Sequence, residues 1–250
     1  MNESEKSIAG AVAQLAGTVY ADIAQPSAKR VGQTLDNLLK IGLSPLDLVN
    51  WGYEKSKQWL QERVAERVAQ MPPDSLIAPN ERVAIPALLG IASSGDEPAI
   101  RDLYAELLLK AMDRTTAHQV HPAYVSTLGQ LAPEEALAFV GLRERMDQNL
   151  FQDHESSRQF TDGPRIDEQF NAYCRSIGLH DLEQSTIWLE NLRRLGLLWT
   201  ERLSDVRYHE IDGGLGPRSV SKEEYRNLRF TEFGKRFLTA CAPPIFANAP

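Results

Sequence analysis

The amino-acid sequence predicts a mainly α protein, in which a multi-helix N-terminal and central region is followed by a small α+β domain. Apolar residues recur at steps of three and four through most of the first 142 residues, the period of a helix with one buried face. Proline, Ser, Asn and acidic residues stand where those helices would start. After Leu195 the pattern changes to a strand-like distribution around the glycine-rich turn Gly213 to Pro217.

The first helix lies within Ser7 to Ile23, where Ile8, Val12, Leu15, Val19 and Ile23 make one stripe. A membrane-surface helix wants Lys or Arg on its polar face, and this one offers Gln14, Thr18 and Asp22. Packing on the rest of the chain or on another subunit is therefore expected ahead of contact with a membrane surface through residues 7–23. Pro26 and Ser27 open a second helix, with Lys29 and Arg30 at its start and Val31, Leu35, Leu38 and Leu39 on one face. Ser44-Pro45 with Asp47 begins a third, whose Leu48, Trp51, Trp59, Leu60, Val64 and Val68 run to the break at Met71-Pro72-Pro73. Glu62 and Glu66 interleave with Arg63 and Arg67, the mark of a solvated helix face.

Asn80 is placed to cap a helix carrying Val83, Leu88 and Leu89, which Pro86 is expected to kink or shorten. Ser94 to Glu97 forms a turn and cap, and Pro98 starts a helix with Ile100, Leu103, Tyr104, Leu107, Leu108 and Ala111 along one face. That helix is expected at the centre of its domain. Pro133, followed by Glu134 and Glu135, begins the next, with Leu137, Phe139, Val140 and Leu142 as its apolar residues.

Within Ile77 to Leu137 five marks follow in a specific order: Pro79/Arg82/Ala84/Pro86, Asp96 to Arg101, Leu107 to Asp113, His121-Pro122 and Leu131 to Glu135. In this order they resemble the core of the abortive infection alpha family of bacteria. The resemblance implies a cytoplasmic antiphage protein. It names no reaction.

Composition agrees with a soluble globular chain: 250 residues, 42% hydrophobic and 24% charged. A net charge of −7 argues against a surface built throughout to neutralise phosphate. Cys174 and Cys241 fit no metal-ligand spacing and suit free thiols in a reducing cytoplasm. Met1 to Lys6 lacks the basic start of a secretory signal, and the uncharged run Ser7 to Ala21 falls short of the ~20 apolar residues of a spanning helix.

His118 and His121 have the spacing of a helical metal pair, but Pro122 pushes His121 toward extended backbone and no third ligand follows at a diagnostic distance. His121 is expected to connect helices and hydrogen-bond local backbone. Asp113 with Arg114, and Asp96 with Glu97, read as caps and surface pairs rather than acid–base machinery. Neither a nucleophile elbow, a P-loop nor a Rossmann fingerprint occurs in the sequence. The expectation is of no catalytic, cofactor or metal residue.

Asn149 to Arg165 reads as a linker closed by Gly163-Pro164. Beyond it Ile166, Phe170 and Cys174 or Tyr173 make one helix face, and Ile187, Trp188, Leu192 and Leu195 another. Leu195-Gly196-Leu197-Leu198 stops that helix ahead of a hairpin, and Leu228 to Phe237 gives a last strand and helix. The order of helix, helix, R-L-G-L-L, hairpin and L-x-x-T-x-x-G-x-x-F resembles a winged-helix domain. Such a domain places its second helix in the major groove. The residues available for nucleic-acid contact are Arg193 and Arg194, at the C-terminal end of that helix, and Arg218, Lys222, Arg226 and Arg229 as a strip near the wing.

The expected organisation is residues 1–72 as N-terminal amphipathic helices, 73–150 as the helical core, 151–165 as linker, 166–242 as the winged-helix-like domain and 243–250 as a tail. The function expected is a non-enzymatic antiphage effector, sensor or adaptor that binds a protein partner or a second copy of itself. A winged-helix DNA-binding regulator is the alternative, and a membrane-acting toxin the weaker one.

Overall fold

Helix starts in the structure follow the capping chemistry of the sequence. In the computed structural model, which describes residues 59–60, 62–63, 66–67, 71–94, 97–155, 165–209 and 219–243, Asn80 accepts a hydrogen bond from the Arg82 N–H at 2.9 Å and opens α1 (Glu81–Ser93). Pro98 opens α2 (Pro98–Ala111), Pro122 opens α3 (Pro122–Leu128) and Pro133 opens α4 (Pro133–Gly141). Pro86 does not shorten α1, which continues to Ser93. Pro86 and Arg82 are both exposed, so water can replace the donor that proline withholds from the Arg82 carbonyl.

The remaining elements are β1 (Phe151–Glu155), α5 (Ile166–Ser176), α6 (Leu182–Arg194), β2 (Leu198–His209), β3 (Ser219–Phe230) and α7 (Glu232–Cys241). The fold is thus mainly helical, with one small antiparallel sheet of order β1-β3-β2. Phe151 to Glu155, which the composition presents as the start of a linker, is an edge strand in register with Leu228 to Glu224. Its polar residues conceal it: Phe151 and Asp153 are buried, while Gln152 between them is exposed. The helices expected between residues 7 and 58, the tip Gly213 to Pro217, Arg218 and the tail beyond Pro243 lie outside the described residues. No helix among those described is long and apolar enough to cross a membrane.

The chain divides into two units, residues 1–133 with 239–250, and residues 134–238. In the first, α2 is nearly enclosed: Leu107 and Leu108 are fully buried, each stabilising the fold by roughly 1.5–3 kcal/mol relative to exposure. Its Tyr104 ring lies against Gly90 of α1, where an added Cβ would stand 2.4 Å from the ring. Leu76 bridges to Asp113, and the Ile77 N–H donates to the Met112 carbonyl at 2.8 Å, tying the approach to α1 across the end of α2. The Arg101 guanidinium lies 4.2 Å over the Trp59 ring. Arg67 and Lys110 each stand 3.7 Å from the buried carboxylate of Glu106.

In the second unit, Phe139 meets Phe230 at 5.3 Å and Phe237 at 5.9 Å between ring centroids, and Tyr173 donates to the Ala138 carbonyl at 2.9 Å. The buried carboxylate of Glu135 accepts from the Asn191 amide at 2.8 Å. Helices α5 and α6 both end in a left-handed glycine, Gly178 (φ 84°) and Gly196 (φ 70°). The bonds from Leu179 N–H to Cys174 O and from Leu197 N–H to Leu192 O complete the same helix stop twice. On the outer edge of β1, the backbone N–H and C=O of Gln152 both pair with the side-chain amide of Gln169 from α5.

Two segments far apart in sequence interlock here. The Thr231 hydroxyl donates to the Gly196 carbonyl and accepts from the Gly234 N–H, which caps α7. Gly234 itself lies so close to the Leu197 carbonyl oxygen that an added Cβ would stand 2.1 Å from it.

Helix propensity alone makes Gly234→Ala stabilising by about 1 kcal/mol. The backbone oxygen of Leu197 cannot yield as a side chain can, so the expected outcome in urea denaturation is a loss of about 2 kcal/mol or more. A Gly234→Ala protein as stable as the parent would remove this account of the turn.

Candidate nucleic-acid interface

Period-two alternation decides what the arginines of β3 can reach. Arg226 shares a sheet face with buried Leu228 and Phe230, whereas Arg229 lies on the opposite face with Asn227 and, across the ladder, Trp199. The strip expected near the wing is therefore split between two faces. Lys222 stands in β3 opposite Val206, and Arg218 lies outside the described residues.

On the inner face Arg226 forms a two-pronged pair with Asp153: Nε donates to Oδ1 at 2.9 Å and Nη2 to Oδ2 at 2.6 Å. Asp153 is only 5% exposed, and its Oδ2 also accepts the Ile166 N–H at 3.2 Å, at the start of α5. Burial opposes the charge on Asp153, but the Arg226 hydrogen bonds, the Ile166 N–H and the positive field of Arg226 and Arg165 outweigh it, holding the carboxyl below its ordinary range. Arg193 is drawn into the same group, with Nη1 3.9 Å from Asp167. Its burial and the nearby Arg226 charge push its pKa down, against the pull of Asp167, Glu190 and Asp153.

The other arginines are also engaged. Arg194 donates through Nε and Nη2 to the Asn191 side-chain oxygen at 2.9 and 2.6 Å, and Arg229 Nη1 donates to Glu201 Oε2 at 3.1 Å. The structure thus brings Arg193 and Arg226 together around Asp153, and sets Arg229 with Glu201 elsewhere. The sequence separation of 73 residues between Asp153 and Arg226 gave no local signal of that pair. Opposite charges near the two ends of the expected linker and hairpin were its only trace.

The exposed side of α6 is a different surface from the one the spacing suggested. Ser185, Trp188, Leu189 and Leu192 are buried, and Ile187, expected on the apolar face, is 55% exposed. It stands among exposed Glu183, Gln184, Thr186, Glu190 and Arg194. Two carboxylates and one guanidinium line the face that a major-groove helix would turn toward phosphates.

Of the remaining candidates, His121 has a local structural role. His121 Nδ1 accepts the Ala123 N–H at 3.1 Å and so caps α3, while His118 is exposed in the short turn Ala117–Gln119. Burial pushes the Cys174 thiol up to about 11 and that of Cys241 well above its ordinary value, so both stay protonated near neutrality. Among the described residues no three of His, Cys, Asp and Glu are grouped to hold a metal ion.

A family model described as abortive infection alpha matches residues 52–241, which takes in far more than the marks between Ile77 and Leu137. The chain belongs to the abortive infection alpha family. No curated protein and no solved structure matches it.

Removing the Asp153 carboxylate takes both charged hydrogen bonds of that pair from the half-buried Arg226 guanidinium. Asp153→Ala is expected to cost about 3 kcal/mol in chemical denaturation. Because the folded carboxyl titrates below its unfolded value of about 3.9, its contribution is complete above that pH and is lost as pH falls through the depressed value. Stability measured from pH 6 downward should therefore fall less steeply in Asp153→Asn than in the parent, starting from a lower plateau. Parallel curves would exclude Asp153 as the titrating group.

Proposed function

We propose that this protein acts in abortive infection without catalysing a reaction, as an effector, sensor or adaptor whose second unit makes contact with another protein. The observation that carries this reading is the exposed side of α6, where Ile187 stands between Glu183 and Glu190. An exposed apolar residue ringed by polar ones is suited to a protein interface, with the apolar side chain as anchor and the carboxylates as rim. Family membership supplies the defence setting. The protonated thiols and the capping role of His121 support a role without chemistry.

A DNA-binding role is the second reading, supported by the order of α4, β1, α5, α6 and the β2–β3 hairpin, which matches that of a winged-helix domain. Against it stand the carboxylates on α6 and the arginines already paired with Asp153 and Glu201. A cytoplasmic location follows from the defence role in this reading.

An exposed position tolerates substitution within about 0.5 kcal/mol, so Ile187→Asp should leave thermal unfolding nearly unchanged. Its loss as an anchor should weaken a protein contact by about 2 kcal/mol, and plaque counts in cells carrying the variant should rise toward those of cells without the gene. A mobility-shift series across salt should show no DNA binding even at low ionic strength. Salt-sensitive binding, with full protection by Ile187→Asp, would favour the regulator instead.

A further inference from the structure

Four exposed residues of α6, Glu183, Ile187, Glu190 and Arg194, recur at steps of four, three and four. At 3.6 residues per turn these steps confine their side chains to an arc of about 60°, opposite buried Ser185, Leu189 and Leu192. They make one straight seam along a helix of 13 residues, about 20 Å in length.

Charge gives the seam a direction. Glu183 stands near its amino end and Arg194 at its carboxyl end, each at the helix pole that favours its sign. Glu190, between them, is answered within the chain by Arg193, whose positive charge it supports. Arg194 donates twice to the Asn191 side-chain oxygen, at 2.9 and 2.6 Å, which sets its guanidinium in place before any partner arrives. The seam thus has a carboxylate at one end, a guanidinium at the other and an isoleucine between them.

Steps of four, three and four read the same from either end. A second α6 laid antiparallel, about a two-fold axis crossing between Trp188 and Leu189, therefore brings Glu183 of each copy opposite Arg194 of the other. The two Ile187 side chains then stand three residues apart along the axis, about 4.5 Å, close enough to touch. A parallel copy would set like charge against like.

We propose that the protein docking on α6 is a second copy of this chain, antiparallel to the first, with the two Ile187 side chains at the centre and a Glu183–Arg194 ion pair at each end. The proposal rests on the protein-contact reading and names its partner. A foreign protein would have to supply a matching order of charges, whereas this chain carries its own complement. A contact of one helix with one helix is small beside the standard interface of about 1,600 Å², so the copies associate weakly and reversibly.

Sedimentation equilibrium of the full-length protein tests it. Glu183→Arg alone, or Arg194→Glu alone, sets like charges opposite each other at both ends and should weaken association at least about fivefold. The double variant Glu183→Arg, Arg194→Glu restores opposite signs and should recover the parent's association to within about twofold. A 1:1 mixture of the two single variants should also associate more tightly than either alone, because each pair between them is again of opposite sign. A folding defect would not be rescued by mixing. A parent that stays monomeric up to about 500 μM overturns the proposal, as do single variants that associate like the parent or a mixture no tighter than its components. The proposal and the reading beneath it fail separately: without self-association, raised plaque counts in Ile187→Asp point to a different protein on α6. Self-association with unchanged plaque counts removes the defence contact and leaves the pairing.

Discussion

The Asp153 carboxylate is the point on which the second unit converges. Strand β1 carries it, β3 supplies Arg226 to both its oxygens, and α5 begins with a backbone N–H aimed at one of them. A strand of five residues makes few ladder bonds and gains little by pairing alone. Its hold on the sheet draws on two buried residues, Phe151, packed edge-on against Phe170, and Asp153. The charged residue carries the specificity of the arrangement and the aromatic one its apolar contact. The same pair also spends the guanidinium that, on sequence alone, looks available for phosphate.

Local chemistry was the legible part of the chain. Asn80, Pro98, His121 and Pro133 start helices as their side chains dictate, because a cap acts on backbone two or three residues away. Gly196 ends α6 for the same reason: one residue in the left-handed region serves carbonyls within a single turn. What could not be read depends on partners remote in sequence. Phe151 to Glu155 becomes a strand because β3 is there to receive it, and Ile187 points to solvent because Leu189 and Leu192 are better placed to reach the core. Pro86 shows the converse: it does not shorten α1, because the group it deprives of a donor is exposed. Of the candidate site, the sequence showed the residue types but not their faces, since strand alternation separates Arg226 from Arg229 only once the register is known.

The residues that mark the family between Ile77 and Leu137 mostly build the scaffold of the first unit. Pro98 and His121 begin helices, Leu107 and Leu108 fill its interior, and Tyr104 closes over a glycine that admits no larger side chain. A scaffold of this kind resists change in sequence while leaving its outer surfaces free to differ. Packing makes least demand on the outward side of α6, where Ile187 is exposed and the protein contact is proposed.

The Gln169 amide on the outer edge of β1 has a consequence for assembly. By pairing with both backbone groups of Gln152 it takes them away from any strand that would add at that position. Endless stacking of copies needs two open borders on every subunit. A strand adding along β1 would first have to displace the Gln169 amide, so the start of that border is guarded against the edge pairing from which a fibre grows.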